Sequence, residues 1–150
     1  YPPGSGLFPY SGLSLADRTI CPAGSPTQLI LTDIGQVLGG FWAGISKTVD
    51  GTKRSDLDQA RMQLLQQLLA AISNHAAFGS SPSGSISIDQ AKAAFCTGTL
   101  QQVKDAAAAM AAFNTSGDNG VFTPGASANG KDAKDAANIG FWDFLIPTNP

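Results

Sequence analysis

From Ser55 to Ala77 this chain contains neither glycine nor proline, and Leu57, Arg61, Leu64, Leu68 and Ile72 recur at three- and four-residue intervals. That spacing lines one face of a helix. Leu65, Leu69 and Met62 widen the stripe beyond what a single neighbour covers, so the helix is expected to sit centrally with elements on two sides. Ser55 followed by Asp58 resembles a capping box with Asp in the place of Glu, and the Gly- and Ser-rich run 78–84 ends the segment. A helix over residues 55–77 is the frame to which the rest of the chain must fit.

Other segments read as helices around that frame. Ser87 with Gln90 opens a short helix carrying Ala91, Ala94, Phe95 and Cys96. Thr99 with Gln102 opens another, in which Leu100, Val103, Ala107 and Met110 repeat and the intervening alanines allow close approach. Residues 27–45 are apolar almost throughout, with Ile30, Ile34, Val37, Leu38, Phe41, Trp42 and Ile45 at helical spacing. Gly35, Gly39, Gly40 and Gly44 each weaken a helix there by about 1 kcal/mol relative to Ala, so a buried, interrupted helix is expected. After Phe113 a loop is expected, then one or two turns at 131–137 before the aromatic end GFWDFLIP. Gly40-Phe41-Trp42 and Gly140-Phe141-Trp142 stand 100 residues apart and read as core plugs from both ends.

The first 26 residues hold five prolines and four glycines, a composition that blocks long helices. Leu7, Phe8, Tyr10, Leu13, Leu15 and Ile20 are too apolar for a free linker, so this arm is expected to lie on its own domain or on a neighbour. The chain starts at Tyr1 with no Met, no basic leader and no apolar core of a signal sequence, and reads as a processed or excised segment. No run approaches the ~18 apolar residues of a membrane span.

Composition narrows the chemistry. The 150 residues suit one globular domain. The charged fraction of 13% and the net charge of −2 leave little for a polyanion to grip, which argues against nucleic acid as a partner. All eleven acidic residues are Asp, so motifs that require Glu, such as HExxH or an EF-hand closed by a bidentate Glu, are excluded. Cys21 and Cys96 are the only cysteines and lie in no paired metal-ligand spacing, which argues against zinc and haem. They are read as a single disulfide in a secreted protein, the alternative being two buried thiols. Such a long loop stabilises by roughly 4 kcal/mol on the chain-entropy model.

Candidate chemistry is sparse. His75, the only histidine, lies near the end of the central helix, where a favourable meeting with the helix dipole explains it without catalysis. No GxSxG-type elbow supports a triad, and a thiolate nucleophile would need the disulfide to be absent. Asn114, Ser116 and Asp118 alternate in a predicted loop, but the Gly is misplaced for a cation loop and Asp118-Asn119-Gly120 reads as a plain turn. Asp132 and Asp135 read as a solvated helix start. No cofactor and no metal are expected. Asn114-Thr115-Ser116 matches a glycosylation sequon. Tyr1, Phe8, Tyr10, Trp42 and Trp142 are the candidate contacts to a ligand or partner, since exposed aromatic rings stack on sugars.

Gly40-Phe41-Trp42, Arg54-Ser55-Asp56 and Gln66-Gln67-Leu68-Leu69-Ala70-Ala71-Ile72-Ser73-Asn74, with Ala76, Ala77 and Gly79 behind, form a series. It resembles a helical module of large secreted and cell-surface proteins of bacteria, in which a GYWKNH-type motif precedes a helix with a QLLAAxxN-like pattern. The later alanine-rich helix and the turn Phe113-Asn114-Thr115-Ser116-Gly117-Asp118-Asn119 are similar too, so the resemblance spans roughly residues 39–120. Ala43-Gly44-Ile45 replace the Lys-Asn-His portion. The resemblance implies a surface-protein module without assigned catalysis and carries over no functional residues.

The expectation is a mostly α domain, a bundle of four or five helices with extended terminal segments and one disulfide, Cys21 to Cys96. Residues 1–26 form the arm, 27–138 the helical domain and 139–150 an aromatic tail packed on the domain or a neighbour. The expected function is a non-catalytic extracellular structural or interaction module, a self-associating subunit of a surface assembly or filament. The alternative is a module binding a glycan or small apolar ligand through its tryptophans. A secreted hydrolase using His75 and an Asp stands third.

Overall fold

The computed structural model describes residues 13–24, 28–32, 34–116 and 141–143. Its helices, in chain order, are α1 (Leu15–Arg18), α2 (Ile34–Trp42), α3 (Asp56–Phe78), α4 (Ile88–Thr97) and α5 (Leu100–Ser116); a single 3-10 turn follows at Phe141–Asp143.

Helix α3 is the axis. Its stripe is sealed: Leu64, Leu65 and Leu68 are fully buried, and Met62, Leu69 and Ile72 nearly so. Burying each such side chain contributes about 1.5–3 kcal/mol. α2, α4 and α5 all pack against α3, and α4 also meets α5, which is why the stripe is wider than one neighbour needs. Ser55 caps the N-terminus by accepting the Asp58 amide at 3.1 Å. At the other end Gly79, in the left-handed conformation, donates its N–H to the His75 carbonyl. Arg61 stands inside the stripe because its guanidinium meets the Asp58 carboxylate one turn back, Nη1 to Oδ1 3.1 Å, with both side chains buried. α4 inserts Ala91, Phe95 and Cys96, and α5 inserts Val103, Ala106 and Met110.

Two expectations change in the N-terminal third. Residues 15–21 are not simply extended: a capping box between Ser14 and Asp17 starts the one-turn helix α1, which runs into β1 (Thr19–Cys21). β1 pairs antiparallel with β2 (Leu29–Ile30), Thr19 opposite Ile30 and Cys21 opposite Leu29. The interrupted helix therefore begins at Ile34 rather than near Thr27. Leu29 and Leu31 are buried while Ile30 is only partly so, the two-residue alternation of a strand, and the density of apolar residues in the sequence hides it. Ile20 and Cys21 belong to the same core as α3. The disulfide Cys21–Cys96 joins β1 to α4, with Cα atoms 5.8 Å apart across a sequence separation of 75.

In α2 one glycine has a packing role. A Cβ on Gly40 would overlap the Cδ1 methyl of the buried Leu69, so a hydrogen at this position lets α2 lie close on α3. The 3-10 turn at 141–143 packs on α2.

α5 continues to Ser116, where a loop from residue 114 was expected. Asn114 is held on α3: its Nδ2 donates to the Gln67 carbonyl and to Gln67 Oε1, both at 2.9 Å, and its Oδ1 accepts from Asn74 Nδ2 at 3.1 Å. The sequon nitrogen is thus engaged between two helices, and a glycan on it would break that contact. The turn at 118–120 and the segment 131–137 lie outside the described residues.

Candidate functional site

The tryptophans of the two Gly-Phe-Trp pieces differ sharply in exposure. Trp142 is 3% exposed, with its ring edge-on to Phe95 and Phe141 at centroid distances of 6.4 and 4.8 Å. Its Nε1 donates to the Gln36 carbonyl at 2.9 Å. This corrects its candidacy as a ligand contact: its polar tip is satisfied and its ring packs on the buried Phe95 and the half-buried Phe141. Trp42, the last residue of α2, is 57% exposed. Its neighbours are fixed, since Ala43 is buried and the Phe41 carbonyl accepts from Gln66 Nε2 at 3.1 Å. Trp42 is a large apolar ring left in water on a rigid support. Tyr1, Phe8 and Tyr10 lie outside the described residues.

Beyond Trp42 the chain makes a small hairpin that sequence reading passed over. The Thr48 and Arg54 amides donate to the Thr52 and Ser46 carbonyls at 2.9 and 2.8 Å, leaving Lys47 and Lys53 directly opposite each other. Gly51 closes the turn: its N–H donates to the Thr48 carbonyl and its φ is 90°, a conformation that costs glycine little and other residues much. Thr48 Oγ1 and the Thr52 amide donate to Asp50 Oδ1 at 2.6 and 3.0 Å. These bonds hold the Asp50 carboxyl at a pKa of about 2, with the Thr48 hydroxyl as the largest cause. The Asp-Gly pair flanked by threonines was the available signal for this turn.

A buried cation anchors the hairpin. Arg54 is 3% exposed; its Nε donates to the Gly44 carbonyl at 3.1 Å and its Nη1 to the Trp142 carbonyl at 2.8 Å. Asp143 lies 3.9 Å from Arg54 Nη2 and accepts the Val49 amide at 3.0 Å. Burial lowers the pKa of Arg54, while the negative charges of Asp143 and Asp58 raise it. The guanidinium thus ties the buried Trp142 to the base of the hairpin.

His75 serves a different end of α3. Its Nδ1 lies 2.7 Å from the Ser80 carbonyl, so that nitrogen carries the proton and donates. Ser81 Oγ is 3.4 Å from the same nitrogen, which then cannot accept the hydroxyl proton as a general base must. The ring closes the loop that follows the helix. It also borders a cleft of about 260 Å³ with Asp17, Ser81, Asp89 and Lys92. Lys92 donates to the Ala16 carbonyl at 2.9 Å, and burial pulls its pKa down against the pull of Asp89 and Asp17.

Among the described residues no group of three or more His, Cys or Asp side chains is arranged to hold a metal ion, and no helix is long and apolar enough to cross a membrane. Compared with known protein families, curated proteins and solved structures, the chain matches none of them.

Proposed function

We propose that the chain is a non-catalytic extracellular interaction module that belongs to a cell-surface assembly and acts by docking. Trp42 carries this reading: of two tryptophans in the same tripeptide setting, one completes the core and the other stands exposed on a fixed helix end. Exposing a large aromatic ring is unfavourable unless something covers it. The disulfide supports an oxidising compartment, and the resemblance to bacterial surface modules supports the same setting.

Light scattering of the non-reduced chain over a concentration series, with negative-stain microscopy, tests self-association. Oligomers or filaments of the 15.4 kDa chain are expected, and Trp42→Ala or removal of residues 1–12 should each leave a monomer of the variant's own chain mass with helical content unchanged. A monomer at every concentration would end the self-assembly reading. The same exposed indole favours a second reading, a glycan-binding module, because a flat ring held in water suits the C–H face of a sugar.

A further inference from the structure

We infer that the Trp42 end recognises an acidic polysaccharide, with the indole stacked on a sugar ring and Lys47 and Lys53 binding its carboxylate, sulfate or phosphate groups. This rests on the glycan-binding reading and specifies the ligand class.

The hydrogen bonds on either side of Lys47 and Lys53 make them a non-hydrogen-bonded cross-strand pair, the type whose side chains come closest and leave the same face. Like charges there disfavour the hairpin by themselves. Two nearby carboxylates are bonded to other groups, and neither pairs with a lysine. Asp50 accepts from Thr48 and Thr52, and Asp143 accepts from Val49 and faces Arg54. Among the described residues neither lysine has an ion-pair partner. Two exposed lysines therefore leave the same face of the hairpin as a cross-strand pair, where an anion from outside can bridge them.

Trp42 lies at the same end. Gly44 sits so close to the hairpin that an added Cβ would lie 2.8 Å from the Lys47 carbonyl oxygen. Two residues of chain put the Trp42 backbone within about 7 Å of Gly44. Val49, also exposed, marks the hairpin tip. The patch is prepared in advance, because the Asp50 bonds, the Val49–Asp143 bond and Arg54 fix the hairpin before any ligand arrives. An ammonium group acts as a point charge and accepts carboxylate, sulfate or phosphate without a fixed fork geometry, and a polymer presents such groups repeatedly. A protruding hairpin beside a flat ring offers sugar stacking plus charge, whereas peptide recognition uses a groove or a strand edge.

The test is a fluorescence titration of the full, non-reduced chain with polygalacturonate, chondroitin sulfate, neutral dextran and polyaspartate, paired with affinity electrophoresis. Trp142 is buried, so quenching by a polymer reports on Trp42. Saturable quenching by the two acidic polysaccharides is expected, weakening with added salt. Lys47→Gln/Lys53→Gln should lose about tenfold in affinity, and Trp42→Ala should abolish retention, neither with a lowered melting temperature. Equal binding by the lysine variant would overturn the inference, as would polyaspartate binding that survives Trp42→Ala. Trp42-dependent quenching by dextran alone would retain glycan binding and remove its acidic specificity. No quenching by any polymer would remove both.

Discussion

At the scale of single residues, Asp50 shows how a fully exposed carboxylate can be committed. The Thr48 hydroxyl and the Thr52 amide hold its pKa at about 2, below the ordinary 3.8. Because the folded value is depressed, its contribution to the hairpin is complete above the unfolded pKa and is lost as pH falls through about 2. Carboxyl chemical shifts followed by NMR should show a midpoint near 2, with the Gly51 and Thr52 amides exchanging faster below it while the α3 amides stay protected; a midpoint near 4 would disprove the assignment. Residue roles were unevenly legible in the sequence. Two cysteines admit one pairing, so the sequence left open only whether they are bridged or remain two buried thiols, and the structure bridges them. Trp42 and Trp142 could not be told apart, since what separates them is the Phe95 ring and the Gln36 carbonyl, both brought to Trp142 by the tertiary fold. Arg54 was silent for the same reason: its carbonyl partner on Trp142 lies 88 residues away.

At the scale of elements, α3, α4 and α5 were legible because capping residues and apolar period agreed with their packing. The short pair β1 and β2 was not, because Leu29 to Leu31 are apolar whichever period they follow. The end of α5 was missed because a sequon reads as a loop until Asn114 is seen to bind Gln67 and Asn74. Gly40 was legible as a weak point in a helix, but its use was not. Replacing it relieves the propensity cost of about 1 kcal/mol while forcing a buried methyl aside, a cost of about 1–3 kcal/mol. A branched side chain adds further volume, so Gly40→Val should destabilise the protein by about 2 kcal/mol in urea unfolding. A variant as stable as the parent would mean that α2 can move off α3.

At the scale of the whole molecule, long-range ties gather the described residues at both ends of the chain. The disulfide joins β1 to α4, and the 3-10 turn returns to α2 and Arg54 through Trp142. Cys21→Ser/Cys96→Ser should cost roughly 4 kcal/mol on the chain-entropy model. Hydrogen exchange should then rise first in residues 13–31, with the α3–α5 contact retained; uniform exchange through the molecule would show that the tie holds more than β1 and β2. For a module strung between neighbours, the same bond has a mechanical meaning. Once Trp142 and Asp143 have let go of Gln36, Arg54 and Val49 and the helices have parted, tension entering along β1 passes through sulfur directly to α4, so the covalent chain between Cys21 and Cys96, including α2 and α3, bears none of it. Even when pulled fully open, the oxidised protein withholds roughly 250 Å of contour length, and behaves as a short, stiff link in which the surface bearing Trp42 and the hairpin stays on the slack side.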